Sequence, residues 1–77
     1  MVIIENNCAG LSQQFYSKNG NDFKRRMEKI EHNIKVWNNL GGKKKQYDII
    51  KIEQNGVIYY YDKMKNGVGL VYTIYEI

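Results

Sequence analysis

The chain has 77 residues and a formal net charge of +4, enough for one domain and too few for a catalytic domain beside a separate binding domain. A fold this small buries only about 60 % of the surface its unfolded form exposes, and neither usual staple is encoded. Cys8 is the lone cysteine, and with His32 it falls short of the four ligands of a structural zinc site.

A single thiol suits a reducing compartment. The start, MVIIENN, lacks the basic flank and long apolar run of a signal peptide, and no stretch approaches the roughly 20 apolar residues of a membrane span. These features imply a cytoplasmic protein of a bacterial host with no membrane partner. Asn, Lys, Ile and Tyr are abundant and proline is absent; the codons of all four are AT-rich, which points to a low-GC genome or its mobile elements. The basic excess favours acidic partners without naming them.

In chain order, residues 2–5, VIIE, are apolar and β-branched and read as a short buried strand. Residues 8–18 place Leu11 and Phe15 four apart, the spacing of one or two helical turns. Asn19-Gly20 then offers a helix stop, and Asn21 a cap for the next helix, with Asp22 in its first turn.

Residues 22–40, DFKRRMEKIEHNIKVWNNL, form the longest regular pattern. Phe23, Met27, Ile30, Ile34 and Trp37 recur at alternating steps of four and three, one face of an amphipathic α-helix. Lys24 with Glu28 and Glu31 with Lys35 are i,i+4 pairs on the polar side. A coiled coil needs three or four heptads, so packing on a sheet is the expected use, with Gly41-Gly42 ending the helix.

After the basic run Lys43-Lys44-Lys45 the pattern becomes strands. Asn55-Gly56 between two apolar runs predicts a two-residue type I′ hairpin, because both central positions need φ > 0. That turn sets Gln54 opposite Val57, Ile52 opposite Tyr59 and Ile50 opposite Tyr61. A loop over 64–67 would set Lys63 opposite Val68 and bring Leu70, Tyr72 and Ile74 to the face of Ile50 and Ile52, under the helix. The opposite, outer face would then show Lys51, Ile58, Tyr60, Val71, Thr73 and Tyr75. The expected fold is α+β: a short N-terminal strand and one long amphipathic helix, preceded by a shorter helical segment, packed on a three-stranded antiparallel meander.

Motifs for chemistry are scarce. The glycines and lysines of GGKKK lack phosphate-loop spacing, with Lys44 where Ser or Thr should follow the lysine. Gly67-Val68-Gly69 falls within a hairpin rather than between strand and helix. His32 has no third group to orient it as a general base, and the carboxylates show no paired spacing. No catalytic residue, metal ligand or cofactor is implied. Two surface features stand out. Lys24, Arg25, Arg26 and Lys29 open the long helix and Lys43, Lys44 and Lys45 follow it, separated by about 25–30 Å of helix, either as two solvated patches or as a stripe along RNA or DNA. Lys51, Tyr60 and Tyr75 on the outer sheet face can stack bases or anchor a protein.

The order of strand, helical segments and meander, with IIKIEQNGVIYYYDKMKNGVGLVYTIYEI as its final strands, resembles the small toxins of the RelE/ParE/HigB type. The resemblance implies mRNA cleavage by basic and tyrosine side chains, with Lys51, Tyr60, Lys63 and Lys65 in the matching region. The chain departs from that pattern: no arginine follows Arg26, no histidine follows His32, and the usual catalytic tail is missing.

The reading that follows is a non-enzymatic binding protein, a monomer or weak homodimer. It would occlude RNA or DNA, or a protein or nucleoprotein complex, as a phage or mobile-element inhibitor of the anti-CRISPR type would. The alternatives are a RelE-like mRNA-cleaving toxin, and an assembly module pairing through residues 2–5 or 68–77 as an open strand edge.

Overall fold

The computed structural model describes residues 1–8, 10–65 and 69–77. Its elements are β1 (Val2–Asn6), β2 (Ser12–Tyr16), α1 (Asn21–Asn38), β3 (Ile49–Gln54), β4 (Val57–Asp62) and β5 (Leu70–Glu76). The strands form a five-stranded sheet in the order β2-β1-β5-β4-β3, antiparallel at every junction. The α+β class stands, but among the described residues the expected three-stranded meander is a five-stranded sheet with a single helix. The segment expected as a short helix contains β2, which pairs with β1 from Val2↔Tyr16 to Asn6↔Ser12.

The long helix matches its periodicity. Ile30 and Ile34 are buried and Phe23, Met27 and Trp37 pack beside them against the sheet. Its cap differs: Gly20 holds the N-cap position without a side-chain hydrogen bond, and Asn19-Gly20 belongs to a turn in which the Gly20 amide donates to Ser17 O at 3.0 Å. Helix α1 crosses the sheet diagonally. Phe23 meets Tyr16 at the end of β2, with centroids 6.1 Å apart. At its other end Asn38 clamps the start of β3: its Nδ2 donates to Ile49 O at 3.0 Å, and Ile49 N donates to its Oδ1 at 2.8 Å.

The β3–β4 hairpin forms in the register its turn dictates, with Gln54↔Val57, Ile52↔Tyr59 and Ile50↔Tyr61. Asn55 and Gly56 lie at φ 53° and 76°, the left-handed pair a type I′ turn needs. Between β4 and β5 the register shifts. Tyr61 pairs with Leu70, but Tyr60 pairs with Tyr72, Tyr59 with Thr73 and Ile58 with Ile74. One step on β4 thus spans two on β5, leaving Val71 as the extra residue of a β-bulge. The proposed Lys63–Val68 pairing lies outside the described residues.

The bulge decides which side of β5 is core. Tyr72 and Ile74 fall on the face of Tyr60 and Ile58, and this face carries α1. The core cluster contains Val2, Ile4, Ile30, Ile34, Ile49, Tyr60, Val71, Tyr72 and Ile74. The expected facing is therefore corrected: Ile50, Ile52, Tyr59 and Tyr61 lie on the side away from the helix, and Tyr60 lies beneath it. The strands expected as open edges are also corrected, since β1 and β5 are paired on both sides and the edges are β2 and β3.

Asp62 ties the ends of this arrangement. It is 1 % exposed, and its Oδ1 accepts from Asp48 N and Met64 N, each at 3.0 Å. The amides leading into β3 and out of β4 thus share one acceptor. We expect Asp62→Ala to cost about 1–3 kcal/mol for each amide it orphans, read by urea unfolding. A loss below about 0.5 kcal/mol, the range of an ordinary surface change, would refute this role.

Candidate functional site

The first turns of α1 supply a cationic surface. Arg25 and Lys29, one turn apart, are exposed, and with Arg26, Tyr16 and Asp22 they line a shallow hollow where the helix leaves the end of β2. Arg26 is half-buried, its guanidinium 5.9 Å from the centroid of the Tyr72 ring, a cation–π distance. Its Nε is buried with no hydrogen-bond partner among the described residues. Lys24 points elsewhere, lining a separate hollow with Lys18, Glu28 and Glu31.

Ion pairing sorts these cations further. Among the described residues the salt bridges are Lys18–Glu76, Lys45–Asp48 and Lys51–Glu53. Lys24, Arg25, Arg26, Lys29, Lys43 and Lys44 take part in none of them, and the expected helix pairs Lys24–Glu28 and Glu31–Lys35 do not close. Lys43, Lys44 and Lys45 lie in the turn beyond the far end of α1. The 18-residue helix is about 27 Å long at 1.5 Å per residue, so the two basic groups sit at opposite ends of the molecule's helical layer.

The two candidate tyrosines are separated by the sheet. Tyr60 is 3 % exposed and meets Tyr72 edge-on at 6.2 Å, so it is a core residue rather than part of an accessible stacking surface. Its hydroxyl is buried with no hydrogen-bond partner among the described residues. Burial, with the charges of Glu31 and Glu53 adding to it, pushes its pKa up to about 12. Lys51 stands opposite it in the ladder but is exposed at the sheet edge. Tyr75 is on the open face, where its hydroxyl donates to Glu5 Oε1 at 2.7 Å; that hydrogen bond, then burial, raises its pKa.

The open face holds what sequence reasoning missed. The ladder sets Gln13, Glu5, Thr73, Tyr59 and Ile52 in one row across all five strands, with Phe15, Ile3 and Tyr75 in the next. Ile3 is 5 % exposed yet lies outside the core beneath the helix, flanked in the ladder by Phe15 and Tyr75. Glu5 is the one charged side chain in these rows, held by Tyr75 and by Gln13 Nε2 at 3.1 Å.

A third feature is a hollow lined by Asn7, Cys8, Trp37, Tyr47, Lys65 and the start of β5. Cys8 is exposed. Partial burial raises its thiol pKa, opposed by Lys65 and reinforced by Asp62, which disfavours the reactive thiolate. Among the described residues no group of three His, Cys, Asp or Glu is placed to hold a metal, and no helix is long and apolar enough to cross a membrane.

Comparison with known proteins finds no matching family model, no matching curated protein and no matching solved structure.

The state of Tyr60 is directly testable. Spectrophotometric titration should show one tyrosine ionising near pH 12, and Tyr60→Phe should abolish that transition. The raised pKa means the folded state keeps a proton that the unfolded chain loses near pH 10. This contribution to stability is complete below pH 10 and is lost as pH rises toward 12. Because the hydroxyl has no partner, Tyr60→Phe should be neutral or stabilising by up to about 1 kcal/mol; a loss above about 1 kcal/mol would mean the hydroxyl is satisfied.

Proposed function

We propose that this chain is a small non-enzymatic binding protein that covers a nucleic acid, or the nucleic-acid-facing part of a nucleoprotein complex, with the basic start of its helix. The observation that carries this reading is Arg25, Arg26 and Lys29 side by side without a carboxylate in ion-pair contact. Cations engaged in internal ion pairs cannot neutralise phosphates without first breaking them. These are available, and a single flank of helix presents them together.

Arg25 and Lys29 supply the phosphate contacts; Arg26, anchored over Tyr72, supports them from the inner side. Such contacts release counterions and are largely insensitive to sequence. The protein would therefore act by occlusion rather than by reading bases. Lys43 and Lys44 form a second, weaker contact about a helix length away, able to meet the same backbone only if the nucleic acid follows the helix axis.

The nuclease reading has less behind it. It asks for Tyr60 beside Lys51 and Lys63 on an accessible surface, whereas Tyr60 is under the helix and Lys51 is paired with Glu53 at 3.4 Å. Small size and an abundance of Asn, Lys, Ile and Tyr, whose codons are AT-rich, agree with a phage or mobile-element inhibitor of the anti-CRISPR type, by analogy of class.

Fluorescence anisotropy with labelled single-stranded RNA and with duplex DNA tests the reading across a salt series. We expect affinity to fall steeply with salt. Arg25→Glu together with Lys29→Glu should weaken binding to both and reduce the magnitude of the log–log slope by about two, one for each phosphate that is no longer neutralised. Binding that ignores salt, or that the double variant leaves unchanged, would remove the basis for this site.

A further inference from the structure

We infer that the hollow at the C-terminal end of α1 is a nucleotide site, seating one heteroaromatic base against Trp37 and Tyr47 with its phosphate toward Lys65. Asn7 follows β1, Trp37 lies in the last turn of α1, Tyr47 precedes β3 and Lys65 follows β4. Only the folded chain brings them together. The hollow has a volume of about 400 Å³, within the range of about 300–1,000 Å³ that small-molecule pockets occupy.

Its lining matches the parts of a nucleotide. The rings of Trp37 and Tyr47 have centroids 6.2 Å apart and planes inclined by 32°, and both are half-buried, so each keeps ring surface to offer. A planar base stacks on such a platform whatever its identity. Asn7 contributes an amide whose Nδ2 is buried with no hydrogen-bond partner among the described residues. A buried donor left unpaired is costly, and the ring nitrogens and carbonyls of a base are acceptors in the plane of the stack. A purely apolar ligand would leave that cost in place. Lys65 is exposed and takes no part in the salt bridges among the described residues, so its ammonium is available to a phosphate. The neighbouring carboxylate of Asp62 is 1 % exposed, with its Oδ1 accepting from the Asp48 and Met64 amides.

This site shares no residue with the surface of Arg25 and Lys29, which lies at the opposite end of the helix. That surface meets phosphate charge alone, whereas the hollow recognises the base together with its phosphate. Two sources present this chemistry, a free nucleotide and an unpaired residue of a single strand. Duplex DNA presents it in neither form, because its bases are paired and stacked.

Trp37 is the sole tryptophan, so the fluorescence of the full chain reports the site directly. We expect adenosine monophosphate to quench it saturably, with a dissociation constant of about 1 mM or below. Adenosine, which lacks the phosphate, should bind about tenfold more weakly, and ribose 5-phosphate, which lacks the ring, should not quench. Lys65→Ala should bring the monophosphate down to the affinity of adenosine. Asn7→Asp, nearly isosteric, should weaken both about tenfold while circular dichroism stays native. A short single-stranded oligoriboadenylate assigns the source: binding at least about tenfold tighter than the monophosphate marks a strand, and equal or weaker binding marks a free nucleotide. No saturable quenching by the monophosphate up to about 10 mM would overturn the inference. Quenching that Asn7→Asp and Lys65→Ala both leave unchanged would overturn it too, since it would be stacking on an exposed ring alone. Monophosphate binding beside a failed anisotropy series would keep this site and remove the polyanion reading; the reverse pattern would remove only this site.

Discussion

The β-bulge where Tyr60 and Tyr61 face Tyr72 and Leu70 is the constraint from which the division of this molecule follows. Side chains alternate along a strand with period two, so a single extra residue exchanges every inward and outward position beyond it. With Val71 inserted, Tyr72 and Ile74 join Ile58 and Tyr60 beneath α1, while Thr73 and Tyr75 turn to the other side with Tyr59. Without it, β5 would set Tyr72 against Tyr59 and send Thr73 toward the helix. The helix therefore sits where it does because the central strand offers it Ile74, Tyr72 and Val71 on one side.

That choice separates two kinds of surface by the thickness of the sheet. The helical layer carries the unpaired cations Arg25 and Lys29 at one end and Lys43 and Lys44 at the other. The opposite layer is aromatic and nearly uncharged. Polyanions are attracted over distances near the Debye length, whereas apolar faces act only on contact. A protein built this way can hold a phosphate backbone on one side without its other side interfering. Arg26 joins the layers physically: its guanidinium rests on Tyr72, a core residue of the strand that the bulge turns toward the helix.

Much of this was legible in the residues, but unevenly. The long helix could be read because five apolar positions repeat over four turns, and the β3–β4 hairpin because Asn55-Gly56 permits one register. Strand β2 could not. SQQFY has no β-branched residue, its side chains are mostly exposed on an edge, and Leu11 with Phe15 fits a helical step as well as an alternating one. The facing of β3–β4 was hidden for a different reason. Both sides of β4 are apolar or aromatic, Ile58 and Tyr60 on one and Val57, Tyr59 and Tyr61 on the other, so pairing was determined but not burial. Nothing local marks Val71 as a bulge. The basic cluster around Arg25 was visible as composition; its separation from Lys24 by the turn of the helix, and its freedom from ion pairs, emerge only in the folded chain.

Polyanion binding at the start of the helix, with the sheet face left alone, is the claim on which the rest turns. The most direct measurement is a titration of isotope-labelled protein with single-stranded RNA, followed residue by residue by NMR chemical-shift changes. The predicted changes centre on Arg25, Arg26 and Lys29 and extend to Tyr16 and Asp22, with Tyr59, Thr73 and Tyr75 unmoved. Changes confined to the open-face tyrosines, or no changes at low salt, would contradict it.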